Sequence, residues 1–259
     1  FRCSHPEGTC TDLARAEFLT RHSLKTNAIS TIDIDNIEKY AKICSLQDCT
    51  LWAERRTEME PRSARKIFDD SSKRWSRDEP RLLSDWTARP FLLEWCLPVQ
   101  DKRILDLGCG EGYFTRQLAR NGAKEVIGID ISPGMIEMAW KKEKTEPLGI
   151  QYSVGCVTDF GDVTGSNFDL ITAVFVFNYL TIAQMSKSMA LIHENLADGG
   201  QFIFSLPHPV NPFLSGEDSR FHFKRSGGWF TGRDNIFEGT IALKDGDTVA
   251  VRCIHKTFE

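Results

Sequence analysis

No apolar run in this 259-residue chain approaches the roughly 20 residues a helix needs to cross a bilayer. No charged, apolar and small-residue succession of the signal-peptide kind opens it either. A membrane partner is therefore not expected. An excess of basic charge is also lacking: 32 Lys and Arg face 36 Asp and Glu, for a net charge of −4 and a pI near 5.9. That balance gives no electrostatic footprint for nucleic acid. The chain holds no internal repeat and no low-complexity tract. Its eight cysteines lack the two-residue gap typical of zinc knuckles. Cys3 with Cys10 and Cys44 with Cys49 are spaced more loosely, so no metal site is expected even with His5 and His22 nearby. Cys96, Cys109, Cys156 and Cys253 fall in segments read as core or turn. Reduced thiols in a cytoplasmic protein are the expectation. The chain starts at Phe1 rather than Met, so a leader or upstream domain is expected to be missing.

Apolar residues make up 41% of the chain, ample for the core of one large domain or two small ones. Residues 1–63 read as a polar, partly helical extension. Ile37, Tyr40, Ala41, Ile43 and Cys44 suggest one amphipathic helix, with Asp33 or Asp35 as its cap. Residues 64–259 read as the main domain. Its segment 64–100 predicts a helical cap broken at Pro80 and Pro90 and loaded with Trp75, Leu82, Leu83, Trp86, Phe91, Leu92 and Trp95. From 103 to 206 strands and helices alternate, which predicts a doubly wound, mostly parallel α/β sheet. The expected strands are 103–107, 125–130, about 150–154, 168–175 and 201–206. Ser132 with Pro133, and Thr181 with Gln184, mark two helix starts. Residues 207–259 predict a lid: an irregular proline- and glycine-bearing stretch to 236, then a hairpin of Phe237–Leu243 and Thr248–Ile254. That hairpin is either the sheet's antiparallel edge or an inserted lid. The second reading is preferred here, with the final strands truncated.

The most informative stretch is Ile104-Leu105-Asp106-Leu107-Gly108-Cys109-Gly110-Glu111-Gly112. An apolar strand runs into three glycines at alternate positions, and helical spacing follows from Tyr113 to Arg120, with Gly122 as a stop. A strand, glycine turn and helix bring bare backbone to a ligand at a helix N-terminus. A second apolar strand, Val126 to Ile129, ends in Asp130, and an acid at that distance suits ribose hydroxyls. A dinucleotide site would want its third glycine one residue later, where Tyr113 stands. Asp106, two residues before the first glycine, repels phosphate and favours a cation or ammonium group.

This combination resembles motif I of the class I S-adenosylmethionine-dependent methyltransferases, whose cofactor carries a sulfonium and an amino group and no phosphate. The resemblance covers roughly residues 64–210 and implies a Rossmann-like methyltransferase fold with S-adenosylmethionine as cofactor. It assigns cofactor contacts to Asp106, Gly108, Gly110, Gly112, Asp130, Ile131, Met135 and Asn178. It also pairs Arg89 with the cofactor carboxylate, a surface ion pair being the competing reading of that residue. The acid that in the family often follows the third strand is replaced here by Cys156. Asp159, with the Val157 backbone N–H, is the expected substitute at the adenine.

The implied activity is methyl transfer to a small-molecule acceptor. The alternative is a catalytically inactive cofactor-binding or scaffold module of a larger protein. A nicotinamide dehydrogenase conflicts with the glycine spacing. Methylation of protein or nucleic-acid nitrogen conflicts with Phe177-Asn178-Tyr179-Leu180, which lacks the Asn-Pro-Pro-Tyr type of signature. His208, in Leu206-Pro207-His208-Pro209, and Tyr179 are the candidate catalytic groups, His208 as base because histidine titrates near neutrality. A histidine merely bonded within a proline-rich turn is the competing reading. Trp229 and Phe230, with Phe221 and Phe223, are candidates to line the acceptor pocket, although core packing explains such aromatics equally well. The acceptor, the atom methylated and the oligomeric state are not legible in the residues.

Overall fold

The computed structural model describes residues 62–161, 166–214, 221–243 and 246–257. The sequence readings for the helix near Ile37–Cys44 and for Cys3, Cys10, Cys44, Cys49, His5 and His22 lie outside the described residues. Five strands form one parallel sheet: β1 (Arg103–Leu107), β2 (Glu125–Asp130), β3 (Gln151–Val154), β4 (Phe168–Val174) and β5 (Leu196–Ser205), in the order β3-β2-β1-β4-β5. The order reverses direction between β1 and β4, so the carboxyl ends of these two strands bound the crevice where such sheets bind ligands.

Both faces of the sheet are covered. Ile104, Val126 and Leu170 pack with Leu92, Phe114, Leu118 and Ile136 on one face. Leu105, Leu107, Ile127, Ile129 and Ile171 pack with Phe160, Phe168, Phe177 and Ile192 on the other. The period of two along each strand sends neighbours to opposite cores, which is why β1 has no polar face to spare.

The helices are α1 (Arg62–Trp75), α2 (Leu83–Trp86), α3 (Ala88–Cys96), α4 (Tyr113–Arg120), α5 (Pro133–Thr145) and α6 (Ile182–Asn195). Ser132 Oγ accepts the Met135 N–H at 3.1 Å to cap α5, with Pro133 in its first turn. Thr181 and Gln184 form a reciprocal capping box at α6, with bonds of 3.2 and 2.9 Å. The cap departs from expectation at Pro90. The break falls at Thr87, and Pro90 sits in the first turn of α3, where its missing N–H leaves no helical bond unmade. β5 also starts earlier than its apolar residues suggest. Leu196 pairs with Phe168 before a register shift carries Gln201 opposite Leu170.

Beyond β5 the stretch expected to be irregular contains a 3₁₀ turn at Asn211–Phe213 and a strand, β6 (Phe221–Lys224). Phe221 and Phe223 alternate with His222 and Lys224, a period of two too short to stand out among prolines and glycines. β6 pairs with β7 (Ile236–Ala242), which pairs with β8 (Thr248–Ile254), both antiparallel. These three strands form a sheet of their own, separate from the parallel one. The hairpin is therefore a separate covering element and not the parallel sheet's edge. α1 and the 3₁₀ turn Phe177–Tyr179 both pack against β8. Among the described residues no helix is long and apolar enough to cross a membrane.

Candidate active site

A cavity of about 950 Å³ opens at the carboxyl ends of β1, β2 and β4 and extends beneath the three-stranded sheet. The glycine turn forms one wall. Gly108, Gly110 and Gly112 all hold positive φ, at 67°, 57° and 84°, a region that side-chain-bearing residues enter at a cost. A Cβ on Gly108 would lie 2.4 Å from Val176 Cγ2, whereas one on Gly110 would meet nothing within 4 Å. Gly108 thus seats β1 against the segment after β4, and Gly110 leaves bare backbone facing open space. Among these glycines, Gly108 and Gly110 line the cavity.

Two carboxylates stand behind this turn. Asp106, 1% exposed, accepts hydrogen bonds from Thr115 Oγ1 at 2.6 Å and Thr172 Oγ1 at 2.7 Å. Burial pushes its carboxyl up to about 6, against the pull of those two hydroxyls. Asp130 accepts the Gly110 N–H and the Ser132 N–H, both at 2.9 Å. Burial pushes it, too, up to about 6, opposed by those backbone donors. Both acids line the cavity, as do Ile131, Met135, Val157 and Asn178. Asp159 does not. It is exposed, and its N–H closes on the Cys156 carbonyl at 2.9 Å. Cys156 and Val157 take the cavity wall instead. The tight turn at 156–159 points the acid outward, a direction that spacing alone does not encode.

The helical cap contributes an ionic network that the sequence did not reveal. Arg77 bonds Asp85 through Nε at 3.1 Å and Glu111 through Nη1 at 3.0 Å. Lys142 Nζ reaches the other Glu111 oxygen at 2.6 Å. Asp85 also accepts N–H groups from Arg81 and Leu82 at 2.9 and 2.8 Å. Burial raises the Asp85 carboxyl, but Arg77, Arg89 and these two backbone donors more than offset it and leave it below its ordinary value. Arg89 lines the cavity while its Nη1 bonds Asp85 at 2.8 Å. Burial and repulsion from Arg77 bring its guanidinium down to about 10. The arginine is held at the cavity with one face of its fork already occupied.

Tyr179 also lines the cavity and meets Phe68 edge-on at 5.3 Å. Burial lifts its phenol to about 12, so it stays protonated near neutrality. His208 lines the cavity from an exposed turn, and its Nδ1 accepts the Val210 N–H at 3.2 Å. With Nδ1 accepting, the neutral ring carries its proton on Nε2. A base role therefore requires breaking the Val210 bond. Trp229 and Phe230 are not among the cavity-lining residues. Trp229 packs on Phe213 and His255, and Phe230 is 70% exposed. Phe221 and Phe223 do line the cavity, because alternation along β6 turns both to one face.

The end of β8 supplies residues the sequence did not single out: His255, Lys256 and Thr257 all line the cavity. The His255 ring is boxed by Phe213, Trp229 and Phe237. Its Nε2 lies 2.8 Å from the Trp229 carbonyl, which only accepts, so Nε2 carries the proton. Nδ1 has no hydrogen-bond partner among the described residues. No period or spacing marks these positions. Only the fold of β8 back over the crevice brings them there. Among the described residues no cluster of His, Cys, Asp and Glu is arranged to hold a metal ion.

Residues 104–200 match the family model of a methyltransferase domain. An uncharacterized protein of Haemophilus influenzae is 32% identical over 137 residues, 52% of this chain and 53% of that protein. A ubiquinone biosynthesis O-methyltransferase of Nitrosococcus oceani is 30% identical over 155 residues, 59% of this chain and 64% of that protein. The chain thus spans between about half and two thirds of the length of these relatives. The solved structure of the CcbJ methyltransferase from Streptomyces caelestis superposes with a TM-score of 0.53 at 18% identity, covering 74% of this chain and 80% of that one. That likeness is one of fold.

Proposed function

We propose that this chain, whose residues 104–200 match the family model of a methyltransferase domain, is a class I S-adenosylmethionine-dependent methyltransferase that transfers a methyl group to a small-molecule acceptor bound beneath the three-stranded sheet. The observation that carries this reading is that one cavity is lined both by the glycine turn, through Gly108 and Gly110, and by Phe68, Tyr179, Met185, Phe221 and Phe223.

The residues at the turn fit S-adenosylmethionine. Gly110 offers open backbone, Asp130 stands at the end of β2 where ribose hydroxyls are received, and Asp106 favours an ammonium group over phosphate. Ile131, Met135 and Val157 supply apolar walls for a purine, and Asn178 and Arg89 offer polar groups to the amino-acid end. Bound there, the cofactor supplies a methyl group already activated by its sulfonium. What remains for the chain is alignment of the nucleophile and exclusion of water. The cap and the three-stranded sheet suit that task, since both line the cavity with apolar side chains. Tyr179 is proposed as a hydrogen-bond donor to the acceptor, its raised phenol suiting donation better than proton removal. His208 is proposed as the proton acceptor only where the Val210 bond opens.

Calorimetry with S-adenosylmethionine and S-adenosylhomocysteine, run beside a labelled-methyl assay in cell extract with mass-spectrometric detection, tests the reading. Binding and transfer to a small molecule are expected. Binding without any transfer would favour the inactive cofactor-binding module. Tight NADH binding with none of S-adenosylmethionine would overturn both.

A further inference from the structure

The cavity's charged residues are unevenly matched. At the glycine-turn end each acid is engaged: Asp106 with Thr115 and Thr172, Asp130 with the Gly110 and Ser132 N–H groups, Glu111 with Arg77 and Lys142. Lys256, half-buried just beyond β8, also lines the cavity. Its Nζ donates one hydrogen bond, to the Ile254 carbonyl at 3.1 Å, and no carboxylate of the described residues lies within 4 Å of it. Asp234 attracts it only from farther away. An ammonium has three donors, so most of its capacity is unspent. The cavity it lines is walled largely by apolar side chains, Phe68, Tyr179, Met185 and Ile254 among them. Thr257 Oγ1, in the same wall, is buried without a hydrogen-bond partner among the described residues.

A cation withdrawn from water without a close counter-ion is costly, and burial accordingly draws the Lys256 ammonium down to about 8. That cost is recovered when an incoming molecule brings a negative charge that the described residues do not place beside it. An apolar chamber would at the same time reject a small, fully hydrated anion. The two demands select one chemistry.

We propose that the acceptor is a molecule with a ring or hydrocarbon body and an anionic oxygen group, a carboxylate or ionised hydroxyl, which the Lys256 ammonium binds while the aromatic walls enclose the body. This rests on the methyl-transfer reading for the word acceptor. The binding preference itself does not depend on it. Lys256 is thereby a specificity-determining residue.

The test compares 2-naphthoate with its neutral counterpart 2-naphthalenemethanol by calorimetry at pH 7, with and without saturating S-adenosylhomocysteine. The parent protein should bind the acid about tenfold or more tightly than the alcohol, as a charge-assisted hydrogen bond in an apolar setting gives. Lys256→Met should abolish that preference while retaining the alcohol's affinity, and Lys256→Arg should keep it. Equal affinities for acid and alcohol in the parent protein overturn the proposal, whether or not either variant folds. So does a preference that survives in folded Lys256→Met. Failure of S-adenosylhomocysteine to bind the parent would instead count against the methyl-transfer reading and leave the acid-to-alcohol ratio to be read without it.

Discussion

Two glycines in one turn should fail in different ways when replaced by alanine. Gly108 and Gly110 both sit at positive φ, 67° and 57°, so each alanine pays about 1–2 kcal/mol for the left-handed backbone. Gly108→Ala carries a second cost. Its Cβ falls 2.4 Å from Val176 Cγ2, and Val176 is buried against the core on the far side of β1, with little room to retreat. Overpacking of this kind costs about 1–3 kcal/mol, which brings Gly108→Ala to about 2–5 kcal/mol. In a domain of this size that is a fall in Tm of roughly 5–15 °C. Gly110→Ala meets nothing, so its stability loss should stay near about 1–2 kcal/mol, while its methyl intrudes on the cavity and weakens cofactor binding. Urea unfolding followed by circular dichroism measures the first effect, and calorimetry with S-adenosylhomocysteine the second. A double-mutant cycle isolates the contact: Val176→Ala in the Gly108→Ala background should recover about 1–2 kcal/mol beyond additivity. Equal destabilisation by the two alanines, or an additive cycle, would refute the claim that Val176 is what fixes glycine at 108.

Three further outcomes are expected. Asp130→Ala should weaken S-adenosylmethionine binding by about 1–3 kcal/mol in calorimetry, through loss of charge-assisted bonds and release of the Gly110 N–H; an unchanged Kd would remove Asp130 from the site. Asp106 and Asp130 are both raised to about 6. They are ionised above that pH and neutralised below it, so affinity for a cationic cofactor should fall as pH drops through about 6. A titration flat from pH 7.5 to 5 would contradict this. His208→Ala should reduce turnover less than tenfold, because its Nδ1 lone pair is already given to Val210; a loss of about 10²–10⁴ together with a vanished pH inflection would restore it as the base.

How far the sequence carries depends on whether a feature is local. The strand–glycine–helix unit of 103–120, the Ser132 and Thr181 caps and the β7–β8 hairpin are each written within a dozen or so residues, since side-chain period, capping oxygens and turn glycines act over that range. Motif I and Asp130 were legible for the same reason. The hydrogen bond from the Gly110 N–H to Asp130 is the tertiary consequence of two adjacent parallel strands ending together. β6 was hidden because four residues among prolines and glycines carry too little pattern.

What only the tertiary structure decided is which side chains from distant segments meet. Nothing near Arg77 in the sequence announces Glu111, and nothing near Thr248 announces that the strand it opens brings His255, Lys256 and Thr257 to the cavity. Asp159 is turned outward by a tight turn, Trp229 packs on Phe213 and His255, and Phe230 is exposed, all three off the cavity wall. The sequence by itself determined the alternating strands and helices of the parallel sheet and the glycine cradle, because periodicity and backbone freedom are properties of short segments, whereas the strand order and its switch point came from the tertiary structure. The part of the cavity wall supplied by His255, Lys256 and Thr257, and the charge it carries, depend on how a separate sheet folds back over the crevice, which is settled by packing between elements more than a hundred residues apart.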